Sequence, residues 1–560
     1  MRKTAAKNVS WGLYPGFAFG IIREVQSSRR GRVNKGNHNR ERLENHMNKQ
    51  WTDTFHTEIE RFKETIGAFD KGELDRKAYK GVSGGLGSYA QRDASKHMLR
   101  LRMPGGRLTM ERLKFLAEVV EREQVGRMKL TTCETIQLHD LAAGQVPPLM
   151  EEAVEVDIYT KGGGGDNPRN VMASPLSGVQ PGEAFDVIPY AEAVTKYLLS
   201  ICRDIKMPRK LKIAFCNGVD DCVHSAFRDM GFLAQPDGTF ALRIAGGLGA
   251  ARPSMGVLVE EHVQPKEVLY YVRAMVDTFC AHGNYENRAK ARTRYMQDTL
   301  GPDGLKEAFL QNVAARKAEG GLDLTDLEAP ADIARDNSGA VDHPRAIPQK
   351  QPGMYAVKYH PIGGALPVEK PRQLYELLKD IPGAEIRIAP NETLYVINLT
   401  AAEAEKVIAA TADSAATEFE CSVACIGATT CQQGVRDSQG VLQAAVKAVR
   451  EANIPDGALP KVCISGCPSS CSAHQAGAIG FQGGVKLVDK KPQPAFKMFL
   501  GGTDALGKAS FGQEAGTVLE SDLPALLVEL GKAAAAAGQD WYQWSENHAA
   551  ERDAIIAKYA

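Results

Sequence analysis

The chain has 560 residues, 43% of them hydrophobic and 24% charged, so it can bury several cores and we expect about two to four domains. Lys and Arg together number 68, as do Asp and Glu, and this neutral balance excludes a general nucleic-acid binder. No apolar run approaches the length that spans a bilayer, so we expect no membrane partner.

Residues 1–83 are predicted to form an N-terminal extension. The chain begins with basic residues and a short apolar patch, but no small-residue cleavage site follows, so a signal peptide is not expected. We expect the first 45 residues to be a disordered tail, or to result from a start codon assigned too early, with Met47 as the alternative start.

An internal duplication organises the rest of the chain. Residues 84–150 and 351–412 each read as a strand, a Gly-Gly turn, an amphipathic helix and a second strand, here called unit A and unit A′. In unit A, helical spacing predicts a buried helix face at Leu113, Leu116 and Val120. The turn and the second strand keep the same spacing in both copies, from Gly106 to Lys129 and from Gly364 to Arg387.

A second segment is also present twice, in residues 151–317 (unit B) and 413–560 (unit B′). Residues 318–350 between the halves are polar and rich in Gly, Pro and Asp, which predicts a linker. The chain therefore reads A-B-A′-B′, an α+β protein with a pseudo-twofold axis and a ligand cleft where its halves meet. The two B segments align at equal spacings, Lys212 to Cys222 and Lys461 to Cys471.

Eleven cysteines are spread over the chain, and their odd number does not fit a secreted disulfide framework. We therefore expect a reducing, cytoplasmic location. Only unit B′ arranges cysteines in two close pairs, a C-x5-C and a C-x3-C. These four residues are Cys425, Cys431, Cys467 and Cys471.

Three interpretations of these cysteines compete: structural zinc, an iron–sulfur cluster, and buried thiols without a ligand. Zinc sites usually use shorter C-x2–4-C spacings, whereas flanks rich in Gly, Ala, Ser and Thr let backbone amides approach cluster sulfurs. Unliganded thiols are common in protein cores. Unit B argues against them here, because it keeps only Cys222, the counterpart of Cys471, and lacks any counterpart of the C-x5-C.

C-x5-C followed by G-C-P-x-x-C resembles the signature of the siroheme-containing sulfite and nitrite reductases. The resemblance extends from about Gly84 to the C-terminal region and includes the duplication. It implies two ferredoxin-like half-domains and two α/β domains. It also implies that Cys425, Cys431, Cys467 and Cys471 hold a [4Fe–4S] cluster, and that Cys471 bridges this cluster to a siroheme iron.

Siroheme carboxylates and oxyanion substrates both need converging cations, and the sequence offers them in short basic runs. Arg100 is on a predicted strand, and Arg169 follows the glycines 162–165, which could equally form a flexible loop. Such clusters are often solvated charged surfaces. Lys210 and Lys212 differ, because they precede the apolar run IAF, which predicts a buried strand.

The resemblance assigns two sets of residues. The residues that bind the anion above the siroheme iron are Arg100, Arg169, Lys210 and Lys212. The residues around the siroheme side chains are Lys129, Thr131, Thr135, Gln137, Arg209 and Arg288. One position departs from the family pattern, because Cys133 stands where relatives often have a siroheme-binding arginine. Either Arg127 replaces that arginine, or weaker polar contacts hold the carboxylate.

The predicted activity is the six-electron reduction of sulfite to sulfide. Lys212 favours sulfite, because nitrite reductases tend to have Asn at this position, and nitrite reduction to ammonia is the alternative. The sequence has no flavin- or nicotinamide-binding fingerprint, so we expect an external donor, either a ferredoxin or a flavoprotein subunit. More distant alternatives are a non-catalytic iron–sulfur or zinc protein and a related enzyme of corrin biosynthesis.

Overall fold

The structure is a computed structural model that describes residues 36–325, 327, 333, 335 and 339–560, with side chains from residue 53 onward. Residues 55–560 form one compact unit, and the described residues 36–54 belong to a separate one. Helix α1 (Gly36–Asp70) begins within the segment predicted to be a disordered tail, and residues 1–35 of that tail lie outside the described residues.

Unit A contains five strands and three further helices. These are β1 (Ser88–Ala90), β2 (His97–Arg102), β3 (Arg107–Leu108), β4 (Arg127–Leu130), β5 (Thr135–Leu141), α2 (Arg76–Ser83), α3 (Met110–Arg122) and α4 (Val146–Val154). Helix α3 begins after Thr109, whose hydroxyl accepts a hydrogen bond from the Arg112 amide. Leu113, Leu116 and Val120 are buried, which confirms the predicted helix face.

Unit B is a five-stranded sheet covered by helices. Its elements are β6 (Met172–Ala173), β7 (Ile213–Cys216), β8 (Met230–Ala234), β9 (Phe240–Ile244), β10 (Val257–Val263), α5 (Ile188–Ile201), α6 (Val268–His282) and α7 (Met296–Glu319). The strand order is β10-β9-β8-β7-β6, with β6, β7 and β8 parallel. All four residues of β7 are buried, as the sequence predicted, and the rings of Phe215 and Phe232 stack in the core.

Unit A′ repeats the arrangement of unit A. Its elements are β11 (Ala346–Pro348), β12 (Tyr355–Tyr359), β13 (Ala365–Leu366), β14 (Glu385–Ile388), β15 (Leu394–Leu399), α8 (Lys370–Leu378) and α9 (Ala401–Ala410). Strand β11 pairs with β12, so this sheet begins within the segment 318–350 that was predicted to be a linker. Thr400 and Glu403 form a capping box that starts α9.

Unit B′ repeats unit B and ends the chain. Its elements are β16 (Val423–Ala424), β17 (Val462–Ser465), β18 (Ile479–Val488), β19 (Lys491–Leu500), β20 (Gln513–Leu519), α10 (Ser438–Glu451), α11 (Leu523–Ala536), α12 (Trp541–Asn547) and α13 (Ala549–Tyr559). The strand order is β16-β17-β18-β19-β20, with β16, β17 and β18 parallel. Among the described residues, no helix combines the length and apolar character needed to cross a membrane.

The two A units exchange a strand. The first sheet has the order β1-β2-β5-β4-β13 and the second has the order β11-β12-β15-β14-β3, so each receives the short strand after the other's Gly-Gly turn. Ala365 pairs with Lys129, and Arg107 pairs with Arg387. This reciprocal pairing confirms the predicted α+β class and the internal duplication, and it fixes the two halves against each other.

Candidate active site

The four predicted cluster cysteines lie in loops that follow neighbouring strands of unit B′. Cys425 follows β16 directly, and Cys467 and Cys471 follow β17, which pairs with β16 in parallel. The carboxyl ends of parallel strands meet at one edge of a sheet, so these loops converge there. Cys425 Sγ accepts a hydrogen bond from the Gly466 amide at 3.2 Å. A backbone amide therefore approaches one of the sulfurs, as the composition of this segment predicted.

Mutual electrostatic effects indicate that the four thiols lie close together. Desolvation by the surrounding protein raises the pKa of Cys471 to about 12, and Cys425, Cys467 and Cys431 add to the rise while Lys210 opposes it. Burial also raises the pKa of Cys425, with a smaller contribution from Cys467. Thiolates that repel one another in this way are stabilised by bound metal cations.

The donor set suits a cluster in which each thiolate binds its own iron. Among the described residues, no three His, Cys, Asp or Glu side chains are placed to share a single metal ion. A [4Fe–4S] cluster does not need such a group, because its four cysteines bind different iron atoms. Cys467 is buried, whereas Cys471, although the surrounding protein desolvates its thiol, keeps accessible surface for a second ligand.

The four predicted anion-binding cations come from units A and B, and one of them, Lys210, interacts electrostatically with Cys471. Arg100 is in β2, Arg169 precedes β6, and Lys210 and Lys212 precede β7. Burial lowers the pKa of Lys210 well below its usual value, and repulsion from Lys212, Arg292 and Arg169 lowers it further, while Cys471 opposes the shift. The charges that act on Lys210 therefore come both from basic residues of the first half and from a cysteine of the second half.

The glycine-rich loop 162–165 holds two of these cations. Arg100 and Arg169 both donate hydrogen bonds to the Gly163 carbonyl, and Arg169 also donates to Gly165 O at 2.9 Å. A Cβ atom on Gly164 would lie 2.2 Å from Tyr89 Oη, so the loop needs glycine there. The glycine run alone is a weak signal, because the sequence around it does not show that the distant Tyr89 approaches it so closely.

Lys129 has a protein partner that the sequence did not predict. Its ammonium forms an ion pair with the Glu392 carboxylate and donates to Leu130 O at 2.8 Å. Both side chains of the pair are 3% exposed. Burial raises the pKa of Glu392 to about 7, although Lys129 opposes the rise. This pair joins units A and A′, and the predicted contact of Lys129 with siroheme stays a prediction.

Arg209 and Arg288 share one carboxylate. Arg209 Nη1 donates to Asp166 Oδ1 at 2.9 Å, and Arg288 binds both oxygens of Asp166 at 2.8 and 3.1 Å. Asp166 directly follows the glycine-rich loop, so it links that loop to both arginines. The sequence offered no signal for this pairing, because the three residues are far apart along the chain.

The remaining predicted siroheme residues lie on and beside β5. The hydroxyls of Thr131 and Thr135 are 2.7 Å apart and hydrogen-bond to each other. Gln137 Oε1 lies 3.3 Å from the buried ring of His139. Thr132, which sequence reasoning did not select, donates to the Cys471 carbonyl at 2.7 Å and ties this segment to the cluster loop.

The side chain of Cys133 faces cations. Burial opposes ionisation of this thiol, but Lys212, Arg228 and Arg100 overcome it and lower its pKa to about 6. Arg127, one of the two substitutes considered for the missing arginine, instead binds Asp140 through two hydrogen bonds of 2.9 and 3.1 Å.

The side chains of the four predicted anion-binding residues lack carboxylates that would neutralise them. Within the described part of the chain, none of their side-chain nitrogens has a carboxylate oxygen within 4 Å, in contrast to the paired Lys129 and Arg209, and only the backbone amide of Lys212 donates to a carboxylate, Asp229, at 2.9 Å. Arg169 Nε is buried without a hydrogen-bond partner among the described residues, whereas Arg292 is paired with Asp229. Buried charges need partners, so this donor set fits a ligand with several carboxylates together with a small anion.

A second cavity lies at the position that the duplication relates to this site. Its volume is about 70 Å³. It is lined by Thr132, Cys222 and His224 from the first half and by Lys461 and Asp504 from the second. Cys222 and Lys461 are the counterparts of Cys471 and Lys212, so this cavity lies where the duplication relates the second half to the candidate site.

Family profiles match most of the folded units. The profile described as "Nitrite/Sulfite reductase ferredoxin-like half domain" matches residues 89–156 and again residues 347–414. The profile described as "Nitrite and sulphite reductase 4Fe-4S domain" matches residues 164–317. The chain belongs to the nitrite and sulfite reductase family. The two half-domain matches confirm the predicted ferredoxin-like repeats, and the family confirms the predicted cofactors, siroheme and a [4Fe–4S] cluster.

Curated relatives and a solved structure agree with this membership. The chain is 27% identical over 451 residues to "Ferredoxin--nitrite reductase" of Synechococcus elongatus, covering 78% of this chain and 85% of that protein. It is 26% identical to the chloroplastic "Ferredoxin--nitrite reductase" of Zea mays, covering 73% of each. The fold matches the Mycobacterium tuberculosis NirA protein with a TM-score of 0.72 at 22% identity, covering 88% of this chain and 94% of that one.

These comparisons confirm that the chain is an enzyme of this family. The relatives' names favour nitrite as the substrate, whereas Lys212 predicted sulfite. They do not test the individual site residues, so the assignments of Arg100, Arg169, Lys210 and Lys212 to the anion stay predictions.

Proposed function

We propose that this protein reduces nitrite to ammonia with six electrons supplied one at a time by a ferredoxin. The observation that carries the proposal is the electrostatic environment of Lys210, whose charge interacts with Lys212, Arg292 and Arg169 and, less strongly, with Cys471. An anion held by these cations would sit beside the cysteine that is predicted to bridge the cluster to siroheme. The names of the curated relatives support nitrite as the anion and ferredoxin as the donor.

The residues of this chain bind and orient the anion. Arg100 and Arg169 are held by the Gly163 carbonyl, so their charges are fixed before substrate arrives. Fixed cations in a partly desolvated site attract an anion strongly and lose little energy to reorganisation. Lys210 and Lys212, on the neighbouring segment, complete a set of four positive groups around one position.

The lysines also suit proton delivery. Burial and neighbouring cations lower the pKa values of Lys210 and Lys212, so each ammonium releases its proton more readily than a solvated lysine. Breaking N–O bonds requires protons at the departing oxygens, and these two ammonium groups are placed to donate them. When bound, siroheme and the cluster would supply the electron transfer that no side chain provides.

Sulfite is a second candidate substrate, and one residue favours it. Lys212 stands where nitrite reductases tend to have Asn, and a second ammonium suits the larger and more highly charged anion. Cys133 weakens this argument, because its ionised form attracts the Lys212 ammonium, raises the pKa of that lysine and offsets part of its charge.

The test compares kcat/KM for nitrite and sulfite with reduced viologen as donor, in wild type and in Lys212→Asn. We expect wild type to prefer nitrite, and we expect the variant to lose about tenfold or more of its kcat/KM for sulfite while nitrite changes less. Lys461→Asn is the matched control, because it removes the counterpart of Lys212 in the other half. Its ratio of the two kcat/KM values should equal that of wild type.

Two results would contradict the proposal. A strong wild-type preference for sulfite would replace nitrite by the second candidate. Reduction of neither anion by protein loaded with both cofactors would remove the proposed reaction altogether.

A further inference from the structure

Arg228 is a buried arginine in unit B without a carboxylate partner. It is 7% exposed, and it lies just before β8. Its Nε donates to Val223 O at 2.8 Å and its Nη2 is 3.3 Å from His224 Nδ1, so both partners are neutral. Within the described part of the chain, no carboxylate oxygen lies within 4 Å of its side-chain nitrogens. Arg209 and Arg292, by contrast, each have a carboxylate oxygen within that distance. A guanidinium buried in this way needs an anion.

Arg228 is linked to the neighbourhood of Cys133, because Val223, whose carbonyl accepts its hydrogen bond, belongs to the small buried cluster against which Cys133 packs. Its charge acts on Cys133, on Lys212 and on Glu134. Glu134 forms no ion pair with it within 4 Å among the described residues; its Oε2 accepts a hydrogen bond from the Ala173 amide at 3.1 Å, and burial raises the pKa of that carboxyl group well above its usual value. Arg228 therefore adds a further uncompensated cation next to Cys133.

The duplication shows that the fold itself does not need this arginine. Gly477 is the counterpart of Arg228, because the pairing of Ile213 with Met230 corresponds to that of Val462 with Ile479. A Cβ atom on Gly477 would lie 3.0 Å from Cys463 Sγ, so the equivalent space in unit B′ is filled. The arginine is thus particular to the half that carries the cationic site.

Cys133 and Arg228 together account for the departure from the family pattern. Relatives often have a siroheme-binding arginine at the position of Cys133, and Arg127 is occupied by Asp140. Arg228 is the second-largest of the cationic influences on Cys133, after Lys212. We propose that Arg228 binds a siroheme carboxylate in place of the arginine that relatives carry at position 133. This inference rests on the proposed function, since it requires that the chain holds siroheme.

The experiment measures siroheme retention rather than activity. Wild type, Arg228→Met, Arg228→Lys, Cys133→Arg and the double variant Arg228→Met/Cys133→Arg are purified from cells that make siroheme. Siroheme per chain is followed by absorption during dilution, and acid-labile sulfide per chain reports the cluster. Arg127→Met is the matched control, because it removes the rival arginine.

We expect Arg228→Met to lose siroheme roughly tenfold faster than wild type, because one charge-assisted contact is removed. Its sulfide content should stay at the wild-type level. The rate of siroheme loss from Arg228→Lys should lie between those of wild type and Arg228→Met, since lysine keeps the positive charge but not the two parallel donors of arginine. Adding Cys133→Arg to Arg228→Met should restore siroheme retention to within about twofold of wild type, because the second substitution supplies an arginine at position 133. Cys133→Arg alone and Arg127→Met should retain siroheme as wild type does.

The inference is overturned if Arg228→Met retains siroheme as well as wild type, or if Arg127→Met loses it instead. Loss of siroheme and sulfide together, without recovery in the double variant, would assign Arg228 a purely structural role and also overturn it. Wild-type protein that holds a cluster but no siroheme would contradict the proposed function itself.

Discussion

Lys210 and Lys212 are half-buried cations that repel each other and their arginine neighbours. This arrangement opposes folding, because like charges in partly desolvated surroundings interact strongly. It favours function for the same reason, since an arriving anion relieves the repulsion. The charges of these two lysines therefore lower stability while they favour activity.

Replacing Lys210 by Met tests that opposition. We expect kcat/KM for the substrate anion to fall roughly hundredfold, since the substitution removes a cation proposed to contact the developing charge. The Tm should stay unchanged or rise by about 1–2 °C, because repulsion with Lys212 is removed. Activity assays and thermal unfolding check the two effects. Lys206→Met, at an exposed lysine of the same segment, should change neither, and a lower Tm for Lys210→Met would contradict this explanation.

At the scale of elements, the Gly-Gly turns are where local sequence and long-range structure meet. Gly106 and Gly364 have φ values of 67° and 66°, and each starts the short strand that crosses to the other half. A Cβ atom on Gly106 would lie 2.3 Å from Ile388 O. The turn therefore needs glycine both for its left-handed backbone and for the approach of the partner strand.

Gly106→Ala should lower the free energy of unfolding by about 2 kcal/mol or more, since it adds backbone strain and a steric contact with β14. The measurement is the denaturant midpoint at constant slope. Gly144→Ala is the control, because nothing lies within 4 Å of the added atom there, and it should change stability by less than about 0.5 kcal/mol. Equal effects of the two substitutions would show that the exchanged strand does not constrain Gly106.

The sequence predicted what depends on local pattern and missed what depends on partners. The buried face of α3, the strand after Lys212 and the duplication all follow from residue spacing, and the structure confirms them. The exchange of strands, the pairing of Lys129 with Glu392 and the contacts of Asp166 were not predicted. Each of these joins segments far apart in the chain, and no periodicity records which distant carboxylate a lysine will meet.

At the scale of the whole molecule, the site exists only when the two halves are assembled. Units A and B supply the cations, unit B′ supplies Cys471, and Thr132 hydrogen-bonds the Cys471 carbonyl across the boundary. The strand exchange brings Arg107 against Glu385, with hydrogen bonds of 2.8 and 2.7 Å, and Arg107 also binds Glu192 at 2.7 Å. Assembly and catalytic geometry therefore depend on the same interface.

The Arg107–Glu385 contact predicts how stability depends on pH. Burial disfavours the Glu385 carboxylate, but Arg387 and Arg107 overcome it and lower its pKa to about 2. A carboxyl whose pKa is depressed on folding stabilises the folded state above its unfolded pKa of about 4.5, and this stabilisation is lost as the pH falls from there toward 2.

Glu385→Gln should therefore be less stable than wild type by about 3 kcal/mol at pH 7, and the difference should shrink steadily below about pH 4.5. Denaturant unfolding of both proteins at several pH values measures it. Glu376→Gln, which removes an exposed carboxylate paired with Lys379, is the matched control and should follow wild type closely at every pH. A difference between Glu385→Gln and wild type that stayed constant down to pH 3 would mean that the glutamate acts through packing alone. The charge of Glu385 would then not be what holds the exchanged strands, and the two halves would owe their association to the backbone pairing of β3 with β14 and of β13 with β4.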